Sequence, residues 1–481
     1  MKKIILIVCL TISSLFIFAQ SEMDAFRFSN LDWQGSARFM GAGGAFGAVG
    51  GDFSAVSTNP ASLGVFKKSS FSVTPIQLSF NNVASRFMDN TNLYTTTKYT
   101  MSSAGFVWVL GNIDNTRWEQ FQFAFGYNRI ADFNQRKFIV DGESNSSIGM
   151  HFADLANGYA PKDMIDEALF AWESYLIDPT DVSNLQYGYL HNDAVMNQRY
   201  SVTTNGGIDE MTISVGSNWD NKLYLGATMG VPFISYSEYS RYVEKDEYNQ
   251  IPIFQELTVK DNLKINGIGI NLKLGLLYQP AKFVRFGIAF HTPTYYGKLK
   301  YNLTRDMSSI GDSASVEKYF TNFNYFKLVT PMRAMFNTAF LIKKRAFISA
   351  EYEIANYGAA RLSPYIYFDD YTYSAENQQI REALKVSHIA RVGAEVNLTE
   401  KFLIRAGYKF QSSPYKDKSL RASCQSISAG LGYRGKHFAF DVAYIYATSG
   451  EKFWFYNPQY VEESILKYSS HRIALSCEFK F

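Results

Sequence analysis

Apolar and polar residues alternate with a period of two through most of this chain. In the last ten residues Ile473, Leu475, Cys477, Phe479 and Phe481 face one way, and Arg472, Ala474, Ser476, Glu478 and Lys480 face the other. Successive side chains of a strand point to opposite faces, so the pattern describes strands with one apolar and one polar side. It recurs over Phe121–Asn128, Leu223–Val231, Ile268–Leu274 and Phe438–Tyr446. Small residues such as Gly126, Gly226 and Gly269 gather on the polar side, which leaves room inside a closed sheet. The pattern predicts strands over 68–82, 98–111, 118–130, 204–218, 222–243, 253–279, 282–303, 328–342, 345–357, 384–398, 401–412, 423–434, 437–448 and 468–481. These number fourteen, an even count, as single-chain bacterial barrels require.

The links between these strands alternate in length. Trp219–Asn221, Pro280–Ala281, Lys343–Lys344, Thr399–Glu400 and Gly435–Lys436 are tight, and 112–117 is short. The links 83–97, 131–203, 244–252, 304–327, 358–383, 413–422 and 449–467 are longer. Short turns at one end and long loops at the other mark a transmembrane barrel, and an even count puts both termini on the short-turn, periplasmic side. Within 131–203, Asp163 stands where it could cap a helix. Ile165, Ala168, Leu169, Trp172, Tyr175 and Leu176 then share one helical face. That face is either an apolar landing surface outside the cell or a loop helix packed on the barrel rim.

Composition supports a barrel in a membrane. Aromatic residues make up 16% of 481 residues, with 33 Tyr and 39 Phe. Mean hydropathy is −0.15, and no apolar run past the N-terminus reaches the ~20 residues of a spanning helix. Residues 1–20 read as a secretory signal peptide: Lys2 and Lys3, then an apolar run from Ile4 to Phe18. The net charge of +3 gives no footprint for nucleic acid. Cys424 and Cys477 fall on non-adjacent strands, too far apart for a disulfide, and no Cys/His spacing forms a metal site. No cofactor is expected. There is no Gly-x-Ser-x-Gly elbow, and Phe46 stands where a dinucleotide fingerprint needs Gly, so no catalytic residues are assigned. His191 and Asp193 evoke a surface protease, but a solvated loop explains them better.

Residues 21–67 form a separate, glycine-rich unit ahead of the first strand, leaving 68–481 for the barrel. Such a segment cannot sit in lipid with unpaired backbone groups, so it lies in the periplasm or plugs the lumen. It reads Gly35-Ser-Ala-Arg38-Phe39-Met-Gly41-Ala-Gly43-Gly44-Ala-Phe46-Gly47, then Gly51-Asp52, then Asn59-Pro60-Ala61-Ser-Leu63. This resembles the FadL/TodX-type long-chain fatty acid and hydrocarbon transporters of the bacterial outer membrane. In that family a Gly- and Ala-rich run leads into Asn-Pro-Ala and plugs a fourteen-stranded barrel. Leu276–Phe290 and Lys401–Gln411 look like the family's later strands. The helix-bearing loop follows the third strand, earlier than the family pattern suggests, and the plug carries more aromatics.

The resemblance implies an all-β, 14-stranded antiparallel transmembrane barrel with an N-terminal luminal hatch. It implies passive uptake of hydrophobic small molecules, long-chain fatty acids or related hydrocarbons. Gly41, Gly43, Gly44, Asn59, Pro60 and Ala61 would form the hatch motif. Phe26, Phe28, Phe39, Phe46 and Phe53 would line a ligand site, and Ile165, Leu169, Trp172 and Leu176 an apolar outer-loop face. Inward Arg285, Arg333, Arg391 or Arg405 could hold a carboxylate head group; alternatively they pair with Glu351, Glu353, Glu395 and Asp441. The other expected partners are outer-membrane lipid and lipopolysaccharide, and the barrel assembly machinery during biogenesis. A single chain closes the barrel, so a monomer is expected. Two other readings stay open: a haemin-binding outer-membrane protein, and a structural or secretion-associated barrel that grips a protein.

Overall fold

The computed structural model describes residues 22–111, 117–189, 194–251, 254–311, 315–343, 345–366 and 371–481. The leader 1–20, most of the turn 112–117, and His191 and Asp193 lie outside the described residues. Helix α1 (Glu22–Ser29), helix α2 (Ala37–Gly41) and two 3-10 turns, Phe53–Ser57 and Pro60–Val65, make up the hatch. Wall strand 1 is β1 (Ser70–Phe87). Wall strand 2 is broken into β2 (Asn90–Thr100) and β3 (Ser103–Leu110), and wall strand 3 into β4 (Trp118–Asp132) and β5 (Lys137–Ser144). Helices α3 (Ile148–Ala156) and α4 (Asp166–Glu173) and a hairpin, β6 (Ile177–Asp181) with β7 (Gln186–Tyr189), follow. Then come β8 (Met196–Trp219), β9 (Leu223–Lys245) and β10 (Glu256–Ala281). Wall strand 7 is β11 (Val284–His291) with β12 (Tyr295–Ile310), and strand 8 is β13 (Ser315–Val329) with β14 (Arg333–Ile342). The rest are β15 (Ala346–Asn356), a short β16 (Arg361–Pro364), helix α5 (Ser374–Ala383), β17 (Val386–Asn397), β18 (Phe402–Gln411), β19 (Cys424–Arg434), β20 (Phe438–Phe453) and β21 (Ser464–Lys480).

These pieces make fourteen antiparallel wall strands. β1 pairs with β21 from Ser70↔Lys480 to Arg86↔Ile465, which closes the barrel. Closure is the physical solution for a sheet in lipid, because no edge is left with unpaired backbone groups. The outward face shows the lipid band directly. On β10, Ile268, Ile270, Leu272, Leu274, Leu276 and Tyr278 are exposed, while Gly269, Asn271, Lys273, Gly275 and Leu277 point inward. At the strand rise of a tilted barrel, that stretch spans ~25 Å, the height of an outer-membrane apolar belt. No helix among the described residues is long and apolar enough to cross a membrane.

Strand ends differ from the sequence expectation at the long-loop end. The expected link 83–97 is instead a tight hairpin between β1 and β2, and β12, β20 and β21 run well into the expected links 304–327 and 449–467. Beyond the lipid band the outward face is no longer apolar, so alternation fades while the ladder continues. Strands 7 and 8 break at Thr292–Thr294 and Thr330–Met332, around Pro293 and Pro331. Proline has no N–H to give to a ladder.

The long loops fold into a second apolar cluster, with Phe138, Phe152, Phe170, Tyr242 and Phe455 buried in it. The expected loop helix starts at Asp166, with Ile165 at its cap position. Asp163 belongs to a separate turn, Pro161–Asp163, and Met164 and Ile165 are extended, which keeps it from capping α4. The expected apolar face is divided. Leu176 is buried and Leu169 and Trp172 pack on the cluster, while Ile165 is exposed.

Candidate functional site

The hatch fills the lumen by close backbone approach to the wall. Gly43, at φ +66°, lies against the backbone of Val392, Gly407 and Tyr408, and a Cβ on Gly407 would run into Ala42 and Gly43. Only glycine accepts both that backbone conformation and that proximity. Asn59 caps the turn Pro60–Val65: its Oδ1 accepts from the Ala61 N–H at 3.1 Å, and its Nδ2 donates to Asn337 Oδ1 at 3.0 Å. Pro60 at the first position fixes φ for that turn. The Asn-Pro-Ala motif is thus a capped turn docked on the wall, with Pro60 and Ala61 against Gly226 and Gly275.

Charged ladders bind hatch and wall. Arg38 grips Glu395 at 3.0 and 3.1 Å and donates to the Gly51 carbonyl. Arg405 lies between Glu395 (2.6 Å) and Asp441 (2.8 Å). Arg391 bridges Glu351 (2.7 Å) and Glu353 (2.6 Å), and Arg333 joins Glu353 to the Ser29 carbonyl of the hatch. Arg285 donates to the Val49 carbonyl at 2.7 Å. Of the four arginines expected to meet a head group, Arg285 and Arg333 bond to hatch carbonyls, while Arg391 and Arg405 pair with wall carboxylates, among them Glu351 and Glu395, which in turn bond to Gly47 and Arg38 of the hatch.

The aromatic residues of the hatch divide as well. Phe39 and Phe46 pack on each other, and Phe46 on Phe347. Phe53 fills the space above Gly105 and Gly126 in wall strands 2 and 3. Phe28 is enclosed by Phe133 and Tyr236. Phe28 also borders a small cavity beside Trp33 and His291, and Phe26 borders a larger luminal one.

That cavity, of about 180 Å³, lies between α1 and the long-loop end. Met23, Phe26, Phe133, Tyr236 and Tyr415 give it apolar surface. Its charged rim is Arg27, Arg136, Lys409 and Arg421 against Asp32, Asp132 and Glu451. Glu451 is shared by Arg136 (2.8 Å) and Arg421 (3.4 Å), and Asp32 by Lys409 (2.7 Å) and Arg472 (2.9 Å). Each of these two carboxylates faces two cations, and Arg27 is paired with Asp24 and lies 3.8 Å from Glu238. Burial alone would push the Asp32 carboxyl up, but Lys409 and Arg472 outweigh it and hold the acid far below the usual carboxylate range. A lowered carboxylate stabilises the folded form above its free pKa, and that contribution is lost only as pH falls through the depressed value. The Asp32 pairs therefore hold at any pH near neutrality, and titration of this group does not release the hatch.

Lys409 follows Arg405 and Gly407 at the strand period, so its inward aspect is legible in the sequence. Arg27, Arg136 and Arg421 sit on the hatch and the long links, where no periodicity marks them.

Beside the cavity the wall has a seam. β2 pairs with β1 from Phe87↔Asn90 to Gln77↔Thr100, while β5 pairs with β8; no ladder joins β2 to β5 among the described residues. The ladder between strands 2 and 3 stops at Ser103↔Asn128. Above it β4 bulges between Arg129 and Ala131, and the chain turns through Phe133–Arg136. Gly206, at φ +112°, makes that turn possible: its carbonyl accepts from Asn134 and Arg129. Among the described residues the contacts across the seam are made by side chains reaching over it: Asn92 donates to Asp141 at 2.8 Å, the Ser85 hydroxyl of β1 donates to the Ile139 carbonyl of β5 at 2.5 Å, and the Lys137 ammonium lies 4.8 Å from the Tyr94 ring. The hatch borrows the vacated ladder positions: the Asp32 and Gln34 N–H groups donate to Ile130 and Arg129 carbonyls at 2.9 and 3.2 Å. Ala131, Asp132, Phe133, Gln135 and Arg136 border both seam and cavity.

No family model matches the sequence, and no curated protein matches it. Solved structures do share the fold. A FadL homologue of Pseudomonas aeruginosa superposes with a TM-score of 0.57 at 12% identity, covering 94% of this chain and 99% of that one. The toluene transporter TodX of Pseudomonas putida gives 0.54 at 14%, covering 94% and 99%. The toluene transporter TbuX of Ralstonia pickettii gives 0.50 at 14%, with the same coverage. The chain therefore has the fold of the FadL-type outer-membrane barrels over nearly its whole length.

Proposed function

We propose that this barrel admits hydrophobic small molecules bearing an acidic head group, long-chain fatty acids among them, through the outer membrane without an energy source. The long-loop end faces outward. The ligand enters there, lodges in the cavity with its tail on Phe26, Phe133, Tyr236 and Tyr415, and sets its head among Arg27, Arg136, Lys409 and Arg421. It leaves sideways through the seam between β2 and β5. The observation that carries this reading is the unladdered seam opening beside the cavity at the level of Leu78 and Phe80, within the lipid band. Apolar surface leaving water supplies roughly 25 cal/mol per Å² for entry, and passage into lipid keeps that gain. Charge-assisted hydrogen bonds select a carboxylate head over a neutral one.

The test is uptake of a labelled C16 fatty acid into cells lacking their own carrier. Expression of this barrel is expected to raise uptake at least ten-fold, with the matching fatty alcohol taken up several-fold more slowly. Background uptake of both, at normal surface expression, would overturn the proposal.

A further inference from the structure

On the outside of the barrel, a band of cations crosses four neighbouring wall strands just above the apolar belt. Lys264 lies on β10, Lys298 and Lys300 on β12, Lys327 on β13 and Arg361 on β16. Register places them together: Ile268 is opposite Lys298, Asn266 opposite Lys300, Lys300 opposite Tyr325, Lys327 opposite Ser363, and Val329 opposite Arg361. Ile268 is the top of the lipid-facing run on β10, so this band begins where the belt ends. Lys264, Lys298, Lys300 and Arg361 are exposed, and no described carboxylate forms an ion pair with them. The nearest outward pair, Lys260 with Asp306, lies further from the membrane.

The cations stand on an aromatic floor. The Lys298 ammonium is 4.2 Å from the Tyr325 ring and 5.0 Å from the Tyr365 ring, and Lys300 is 5.3 Å from the Phe323 ring. These contacts orient the ammonium groups without neutralising them. Lysine stems reach along the apolar surface and present their charge at the interface. Concentrated like charge at the head-group level costs energy unless an anion answers it.

We propose that this band is a binding site for the phosphates of an anionic glycolipid of the outer leaflet, of the lipid A type. The acyl chains lie against Ile268, Ile270 and Tyr295, the sugars on Phe323, Tyr325 and Tyr365, and the phosphates among Lys264, Lys298, Lys300 and Arg361. The site takes the outward orientation from the transport reading but is separate from the luminal cavity.

The test uses the purified full chain in detergent and measures bound lipid by native mass spectrometry. Diphosphoryl lipid A is expected to bind at least ten-fold more tightly than the same lipid stripped of both phosphates. The variant K264Q/K298Q/K300Q/R361Q is expected to lose that preference, while K222Q/K282Q at the short-turn end keeps it. Should the quadruple variant fail to fold, K298Q/K300Q and the dephosphorylated lipid still decide. Equal binding of the two lipids by wild type, or an unchanged preference in the variant, would overturn the site. Phosphatidylglycerol binding as tightly as diphosphoryl lipid A would also overturn it, reducing the band to general charge attraction. None of these results depends on transport.

Discussion

Arg391→Met is expected to destabilise the barrel by about 3–5 kcal/mol, the usual cost of stranding a buried charge. The guanidinium is nearly inaccessible and joins Glu351 to Glu353. Glu353 keeps Arg333 when Arg391 is gone. Among the described residues Glu351 keeps only the Gly47 N–H of the hatch, 3.2 Å away. Methionine occupies similar volume, so packing changes little and the stranded carboxylate dominates. Arg391→Met with Glu351→Gln is expected to recover most of the loss, since a neutral amide carries no charge to bury. Urea unfolding followed by the gel shift of the folded barrel measures both. A loss under 1 kcal/mol in the single variant would mean the lumen is wet enough to solvate Glu351.

Ala131→Trp is expected to cut ligand uptake at least ten-fold while the barrel stays folded. Ala131 lies where the bulge of β4 meets the cavity, beside Asp132 and Phe133. Ala131 is buried but borders the cavity, so an indole there extends into it at a cost of about the 1–3 kcal/mol usual for overpacking, which the barrel can absorb. It removes both the tail pocket and the approach to the seam. Phe123→Trp, on the lipid face of the same strand, is the control and is expected to leave uptake unchanged. Normal uptake in Ala131→Trp would move the ligand path elsewhere in the lumen.

Much of the wall is legible in the sequence because lipid imposes a strict rule. Wherever the outward face meets hydrocarbon, as from Ile268 to Tyr278, apolar and polar residues must alternate. Above the belt that demand ends. Asn90–Thr97, which is largely polar on both faces, therefore reads as a loop although it forms most of β2. The hatch motif is legible for a different reason: Gly43 and Asn59-Pro60 are fixed by local backbone geometry, which single residues reveal. The cavity is not local. It brings Phe26, Phe133, Lys409, Arg421 and Glu451 together from distant parts of the chain, and no spacing marks that meeting. Phe39, Phe46 and Phe53 look like ligand contacts in the sequence because aromatics suit both ligands and packing. Only the fold separates Phe26, on the cavity, from the others. The arginines follow the same logic, since an inward Arg405 can hold either a ligand or Glu395 until the partner is seen.

The most direct measurement joins the two sides of the seam. With Cys424 and Cys477, both unpaired, replaced by serine, Asn92→Cys and Asp141→Cys place thiols where a hydrogen bond now crosses between β2 and β5. A short reducible thiol-to-thiol bridge would fasten the seam in living cells. The cavity, at about 180 Å³, falls below the ~300–1,000 Å³ of ordinary ligand pockets, so on the proposed route a long-chain ligand needs the seam to part. Uptake of labelled fatty acid is expected to fall at least ten-fold on bridging and to recover when the bridge is reduced. Undiminished uptake with the bridge fully formed would contradict sideways exit and place the route through the hatch itself.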